Sequence, residues 1–266
     1  MTTNIGLYIH IPFCIRKCKY CDFASFSNLN KDTRTRYIDR LCEEIESYRD
    51  AKKVGVDTVF FGGGTPSLLS PDELSRIINT ARSVFDISAN AEITMEMNPG
   101  TITEDKVRAY AAAGINRASI GCQSFNENEL KILGRIHNSE EIYEAVKAVK
   151  AAGITNVSLD LMYGIPEQTA DSFEHTIRSA LSLEVNHLSV YGLILEEGTP
   201  FFEARNSLPL PSEDEECDMY ALASRILGEH GFSHYEISNY SKPGFECRHN
   251  LKYWCDEEYI GVGLAA

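Results

Sequence analysis

The sequence predicts an α/β protein, a partial (β/α)6 barrel continued by a C-terminal helix and strand, and three observations carry that expectation. Short β-rich runs alternate with amphipathic stretches from residue 6 to residue 195, an order that calls for a parallel sheet with right-handed crossovers. Every one of the six strands ends in a chemically loaded position: a cysteine loop, a glycine run, Glu96, Gln123, Asp160 or Tyr191. Barrels gather functional groups from many strand ends, whereas doubly wound sheets concentrate them at one switch point. After residue 195 the rhythm breaks, so the barrel stops at six units.

Taken in order, residues 6–13 read as the first strand and lead into the cysteines, and residues 33–48 form its helix. Strand 57–61 runs into Gly62-Gly-Gly-Thr-Pro-Ser67 and is followed by helix 71–85; strand 91–98 carries Glu96 and precedes helix 104–113. Strand 117–123, helix 139–152, strand 156–162, helix 171–183 and strand 187–195 complete the set. Several helices open on Ser, Thr or Asp, and Gly114 and Gly153 close two of them, the usual capping chemistry. Beyond a turn at 196–200, residues 214–230 read as a helix and the alternating, aromatic residues 232–240 as a strand. The expected division is a barrel over 1–200 and the start of a C-terminal region over 201–266. The apolar, glycine-containing run 261–266 reads as an interrupted segment, which points to truncation.

The chain has 266 residues, 43% hydrophobic and 24% charged, enough for one substantial core. Twenty-five Lys and Arg against 39 Asp and Glu give a net charge of −14, and no basic stripe follows the sequence, which argues against nucleic acid as a ligand. The acidic run Glu213 to Glu216 lies just beyond Pro209 and Pro211 and reads as the solvated first turn of a helix. The N-terminus has no basic region leading into a long apolar run, and no window approaches the roughly 20 apolar residues that span a bilayer. A cytoplasmic protein is expected, whose eight cysteines are thiols rather than a disulfide framework.

Three of those thiols, Cys14, Cys18 and Cys21, form a Cys-x3-Cys-x2-Cys triplet directly after the first strand. They suit three corners of a [4Fe–4S] cubane and leave one iron open to an outside ligand. A zinc site of these cysteines with His10 is the alternative, and unligated core cysteines are the bland one. Cys42 and Cys122 read as packing residues; Cys217 and Cys255 carry no signal, and Cys247 with His249 is a weak metal pair.

The triplet resembles the signature of the radical S-adenosylmethionine (SAM) superfamily. Tyr8-Ile-His-Ile-Pro-Phe-Cys14, Gly62-Gly-Gly-Thr-Pro66, Glu96-Met-Asn-Pro99, Gly121-Cys-Gln-Ser-Phe125, Leu133-Gly-Arg135 and Asp160-Leu-Met-Tyr-Gly-Ile-Pro166 resemble the branch of oxygen-independent coproporphyrinogen III oxidases and HemW heme chaperones. The resemblance implies a [4Fe–4S] cluster on the three cysteines, with SAM chelating the free iron and accepting an electron that cleaves a C–S bond. It implies that Gly63, Gly64 and Thr65 contact the methionine part of SAM, that Glu96 meets its ammonium, and that Gln123, Arg135 and Asp160 serve its ribose and carboxylate. Tyr8 would pack beside the cluster, and Tyr20 matches a position near a second SAM in the oxidase.

Between the two branches, the oxidase motif carries a fourth cysteine where this chain has Phe23, and a long N-terminal extension where only seven residues precede Tyr8. Near the other end His249-Asn-Leu-Lys-Tyr253-Trp254 resembles the His-Asn-x-x-Tyr-Trp motif of HemW, whose histidine is implicated in heme binding; alone, such a histidine is more often a satisfied structural group. The resemblance thus implies a heme chaperone, peripheral to the membrane, that delivers heme to respiratory acceptor proteins, with porphyrinogen oxidation as the alternative.

Overall fold

The computed structural model describes residues 4–50 and 54–266. Its strands are β1 (Ile5–Ile11), β2 (Phe13–Cys14), β3 (Phe26–Ser27), β4 (Gly55–Gly63), β5 (Asp86–Met97), β6 (Arg117–Gln123), β7 (Asn156–Tyr163), β8 (His187–Gly192), β9 (Ser233–His234), β10 (Asn239–Ser241) and β11 (Tyr259–Val262). The helices are α1 (Lys31–Ser47), α2 (Pro71–Val84), α3 (Glu104–Ala113), α4 (Glu127–Leu133), α5 (Ser139–Ala151), α6 (Ala170–Ser182), α7 (Pro200–Glu203), α8 (Glu213–Glu229) and α9 (Arg248–Trp254). One sheet runs β11-β1-β4-β5-β6-β7-β8-β10-β9. Neighbours from β11 to β8 are parallel, and β10 and β9 turn antiparallel. Among the described residues no pairing joins β11 to β9, so the barrel is partial and open.

Parallel strands covered on both faces must be apolar nearly throughout. Accordingly β6 is buried at every position and β1 at all but Tyr8. The helices start where the chain offers an acceptor for their free N–H groups: Ser70 with Glu73, Asn138 with Glu141 and Ser212 with Glu215 make reciprocal capping boxes. The acidic run 213–216 is the first turn of α8, as its charge suits. A small satellite core of Leu133, Met162, Ile165 and Phe201, with Tyr20 against it, lies apart from the main core. Among the described residues no helix is long and apolar enough to cross a membrane.

The structure corrects the sequence reading at the end of the chain. Residues 232–240 are a tight reversal rather than one strand: Tyr235 N donates to Asn239 O (3.2 Å) and Asn239 N to Glu236 O (3.3 Å), which lets Asn239 pair with Ser189 of β8. β8 itself ends at Gly192. The strand β11, which the sequence does not signal, docks Tyr259–Val262 against Gly6–Ile9. Helices α4 and α9, seven residues each, are too short to declare themselves by periodicity.

Candidate functional site

The C-terminal ends of β1, β4, β5, β6, β7 and β8 open onto one cavity of about 340 Å³, lined by Cys14, Cys18 and Cys21 together with Gly63, Gly64, Thr65, Glu96, Gln123, Arg135 and Asp160. All three thiols are free and partly exposed. The loop that carries them is pinned from outside: Lys19 N donates to Leu133 O (3.1 Å) at the end of α4, and Phe201 N to Lys19 O (3.1 Å). Tyr20 anchors it in the satellite core, where burial, opposed by the adjacent Arg135, pushes its phenol well above the usual range. Among the described residues no three His, Cys, Asp or Glu side chains are arranged to hold one metal ion. His10, the fourth ligand of the zinc alternative, is taken by Ala24 O (2.8 Å) and the Tyr8 hydroxyl (3.2 Å). Three soft thiolates on an open cavity suit a larger iron–sulfur group.

The glycine run is shaped by contact. Gly63 has φ of +112°, and a Cβ there would stand 2.6 Å from the His10 ring; one on Gly64 would stand 2.7 Å from Phe13 O. These positions require glycine, and they let the backbone of β4 lie against the cysteine loop. From it a chain of hydrogen bonds joins two of the sulfurs. Thr65 Oγ1 faces Cys14 Sγ at 3.7 Å and accepts from Asn98 Nδ2 (2.9 Å); Asn98 Oδ1 accepts from Arg135 Nη2 (2.6 Å), and Arg135 Nη1 faces Cys18 Sγ at 3.5 Å. Arg135 also donates to Gly121 O (2.6 Å), so its guanidinium is engaged with protein acceptors. Asn98 belongs to this arc although sequence reasoning passed over it; its place in Glu96-Met-Asn-Pro99 was the available signal. Gln123 holds a left-handed φ of +70°, and its buried Oε1 has no partner. Strain and an orphaned acceptor together mark a position waiting for a donor.

Glu96 and Asp160 share the floor of this cavity. Glu96 accepts from Gly63 N (3.1 Å), and Asp160 from Ser119 Oγ (3.1 Å). Burial, then the nearby charge of Asp160, pushes the Glu96 carboxyl up to about 8. Burial raises Asp160 as well. Two buried carboxylates that resist ionisation favour a cationic guest, and the ammonium and sulfonium of SAM have that charge. Because the folded value of Glu96 lies above its unfolded one, the native state holds the proton more tightly between pH 4.5 and about 8, and stability falls as pH rises through that window. Glu96→Gln keeps an acceptor for Gly63 and removes the titration. The variant should unfold at the same temperature as the parent near pH 4.5 and be more stable by about 2 kcal/mol at pH 8.5; a parallel shift at both pH values would sink the idea.

A second chamber of about 220 Å³ lies beneath, sharing Glu96, Ser119, Asp160 and Tyr191 with the first and lined also by Tyr8, Arg117, His249 and Tyr253. Tyr8 lies here, its ring stacked toward Phe60 at 6.2 Å, rather than on the wall of the cysteine cavity. His249 is 1% exposed. Its Nδ1 pairs with Thr58 Oγ1 (2.9 Å) and its Nε2 with the Tyr253 hydroxyl (2.9 Å). Burial, then the Lys252 charge, holds the imidazole down near pH 4. The ring is therefore neutral and closed within the base of the barrel, and heme iron would need Nε2 released from Tyr253. Arg117 and Ser119 line this chamber without any motif to mark them, beside Tyr191, which the sequence marks as a strand end.

The chain matches the family model of the radical SAM superfamily over residues 8–180. It is similar to heme chaperone HemW of Lactococcus lactis, 40% identical over 97% of this chain and 68% of that protein. Likeness to heme chaperone HemW of Escherichia coli is 41% over 98% of this chain and 69% of that one. Among solved structures, coproporphyrinogen III oxidase HemN of Escherichia coli, a radical SAM enzyme, superposes with a TM-score of 0.87 at 26% identity, covering 99% of this chain and 64% of that one.

Proposed function

Since the chain belongs to the radical SAM superfamily and, within it, to the family of heme chaperone HemW, we propose that it binds a [4Fe–4S] cluster, SAM and heme and passes the heme to respiratory acceptor proteins. Cys14, Cys18 and Cys21 hold the cluster in this reading. Gly63, Gly64 and Thr65 present backbone and hydroxyl to the methionine part of SAM, Glu96 and Asp160 meet its positive charge and ribose, and Gln123 Oε1 takes a donor from it. Arg135 and Thr65 steady the sulfurs and Tyr8 backs the floor. When bound, the cluster supplies one electron to the sulfonium; the protein excludes water from the buried carboxylates and fixes the cofactor's orientation. In this reading the cofactor cavity is lined from residues before 201, while β9, β10 and β11 of residues 201–266 extend the same sheet. The observation that carries this reading is the convergence of three free thiols and two buried carboxylates on one cavity.

The test is anaerobic reconstitution of the chain followed by iron analysis, SAM binding and heme titration with transfer to heme-free respiratory acceptors. About four iron atoms per chain, saturable SAM binding and heme transfer are expected; a chain that takes up cluster and SAM but no heme refutes the chaperone assignment. The structural likeness to HemN favours a second reading, porphyrinogen oxidation, for which protoporphyrinogen formed from coproporphyrinogen III under reducing conditions is the decisive product.

A further inference from the structure

We propose that a small acidic one-electron carrier protein docks on a basic face outside the cysteine loop and reduces the cluster there; the inference rests on the reading of Cys14, Cys18 and Cys21 as cluster ligands. These thiols have a second approach besides the cavity assigned to SAM. Cys18 also lines a separate, shallow notch with Ile15 and Ile136, which are 50% and 48% exposed. Single exposed apolar side chains are ordinary, but these two border a recess that a cluster ligand also lines. Adjoining it is a depression of about 480 Å³ lined by Arg16, Lys17, Lys19 and Lys131, and the two recesses share Arg16 and Arg135. The fold assembles this face from distant segments: Arg16 donates to Gly134 O (2.6 Å) and Arg135 O (2.8 Å), and Lys19 N to Leu133 O (3.1 Å).

Arg16, Lys17, Lys19 and Lys131 are all exposed, and among the described residues none of them is in an ion pair. Elsewhere on the surface Arg40, Arg76 and Arg178 each meet a carboxylate. Glu127 is the one acidic residue lining the depression, and its carboxylate accepts from Ser139 N (2.8 Å). Unpaired cations are therefore concentrated here on a chain of net charge −14. The rest of such a chain repels an acidic partner, so this face steers and orients the encounter. A reductant is the partner that the place selects, because the cluster gives one electron to the sulfonium and must be resupplied. The carrier loses one electron and the cluster gains it; no bond forms or breaks and no proton moves. A small contact suffices, as redox encounters bury little surface. An anionic bilayer would match the charge, but not a recess that leads to a cluster ligand.

The test follows reduction of the reconstituted full chain by an acidic plant-type [2Fe–2S] ferredoxin, a carrier at about −400 mV, as bleaching of the cluster's visible absorption in stopped flow. Lys19→Glu/Lys131→Glu should slow that reduction at least about tenfold at low salt, and the gap from the parent should shrink as salt is raised. Calorimetric binding of the oxidised ferredoxin should weaken in step, a readout that needs no turnover. Photoreduced deazariboflavin, small and uncharged, should reduce parent and variant within about twofold of each other, and equal iron content shows that the variant is folded. Lys147→Glu, an exposed change on α5, should match the parent throughout. Ferredoxin reduction and binding that are unchanged in the double variant overturn the docking face. Equal slowing with deazariboflavin also overturns it, by placing the effect on the cluster itself. Lost binding to phosphatidylglycerol vesicles with ferredoxin reduction intact reassigns the face to a membrane. A parent chain that assembles no cluster fails differently, by refuting the cofactor reading beneath the inference.

Discussion

Replacing any one of Cys14, Cys18 or Cys21 by alanine is expected to reduce reconstituted iron from about four atoms to less than about one per chain, with SAM binding lost in parallel. Two thiolates do not hold a cubane against dissociation. His10, the obvious reserve ligand, is committed to Ala24 and Tyr8. The fold should survive, because these thiols are partly exposed and the loop is tied down by its own backbone bonds to Leu133 and Phe201. The loss of stability should stay below about 1 kcal/mol. Cys42→Ala and Cys122→Ala make the contrast: both side chains are buried, so these changes should cost packing and leave iron untouched. Iron and acid-labile sulfide, set beside thermal unfolding, read the two effects separately. Full iron in a Cys18→Ala chain, or a single zinc in the parent, would remove the cluster from Cys18 and with it the proposed role of the arc through Thr65, Asn98 and Arg135.

What the sequence made legible follows from where its information is local. The six barrel strands announce themselves because a parallel strand buried on both faces is an apolar run, and strand 117–123 coincides with β6. The cysteines and glycines are legible because their chemistry needs fixed spacing. Helix α9 and strand β11 are not, since seven and four residues draw their stability from what they touch. Cys247 caps α9 without a side-chain bond; instead Glu92, from β5, accepts from Arg248 N and His249 N at 3.2 Å each. A contact across more than 150 residues leaves no trace in spacing. The same holds for His249: its motif is visible, while the Thr58 and Tyr253 hydroxyls that occupy its ring come together only in the fold.

Arg117→Leu is expected to destabilise the chain by about 3–5 kcal/mol, lowering Tm by about 10 °C for a protein of this size. Arg117 is 2% exposed, among the largest fully buried side chains. Burial opposes its charge, yet neighbouring Cys247, Glu92, Tyr235 and Asp160 hold its guanidinium above the ordinary value. Leucine removes the cation and leaves Glu92 and Asp160 buried with hydrogen-bond donors but no opposing charge, Glu92 on the N–H groups of α9 and Asp160 on Ser119, which is costly. The pH dependence identifies the mechanism. Without Arg117, whose charge opposes the effect of burial on Asp160 and Glu96, both of these carboxyls rise further above their unfolded values. The variant then holds protons more tightly and loses stability as pH increases, so the gap from the parent should widen from pH 5 to pH 8. A gap that is constant with pH would assign the loss to packing alone. Arg117→Lys, which keeps the charge but not the planar fork, should recover part of the difference. Arg117 lies against the chamber shared by Glu96 and Asp160, and the cation it provides limits how strongly those carboxylates attract a second one. Arg117→Leu should therefore raise the pH at which SAM binds best while it lowers stability, a pairing that damage to the barrel alone would not produce.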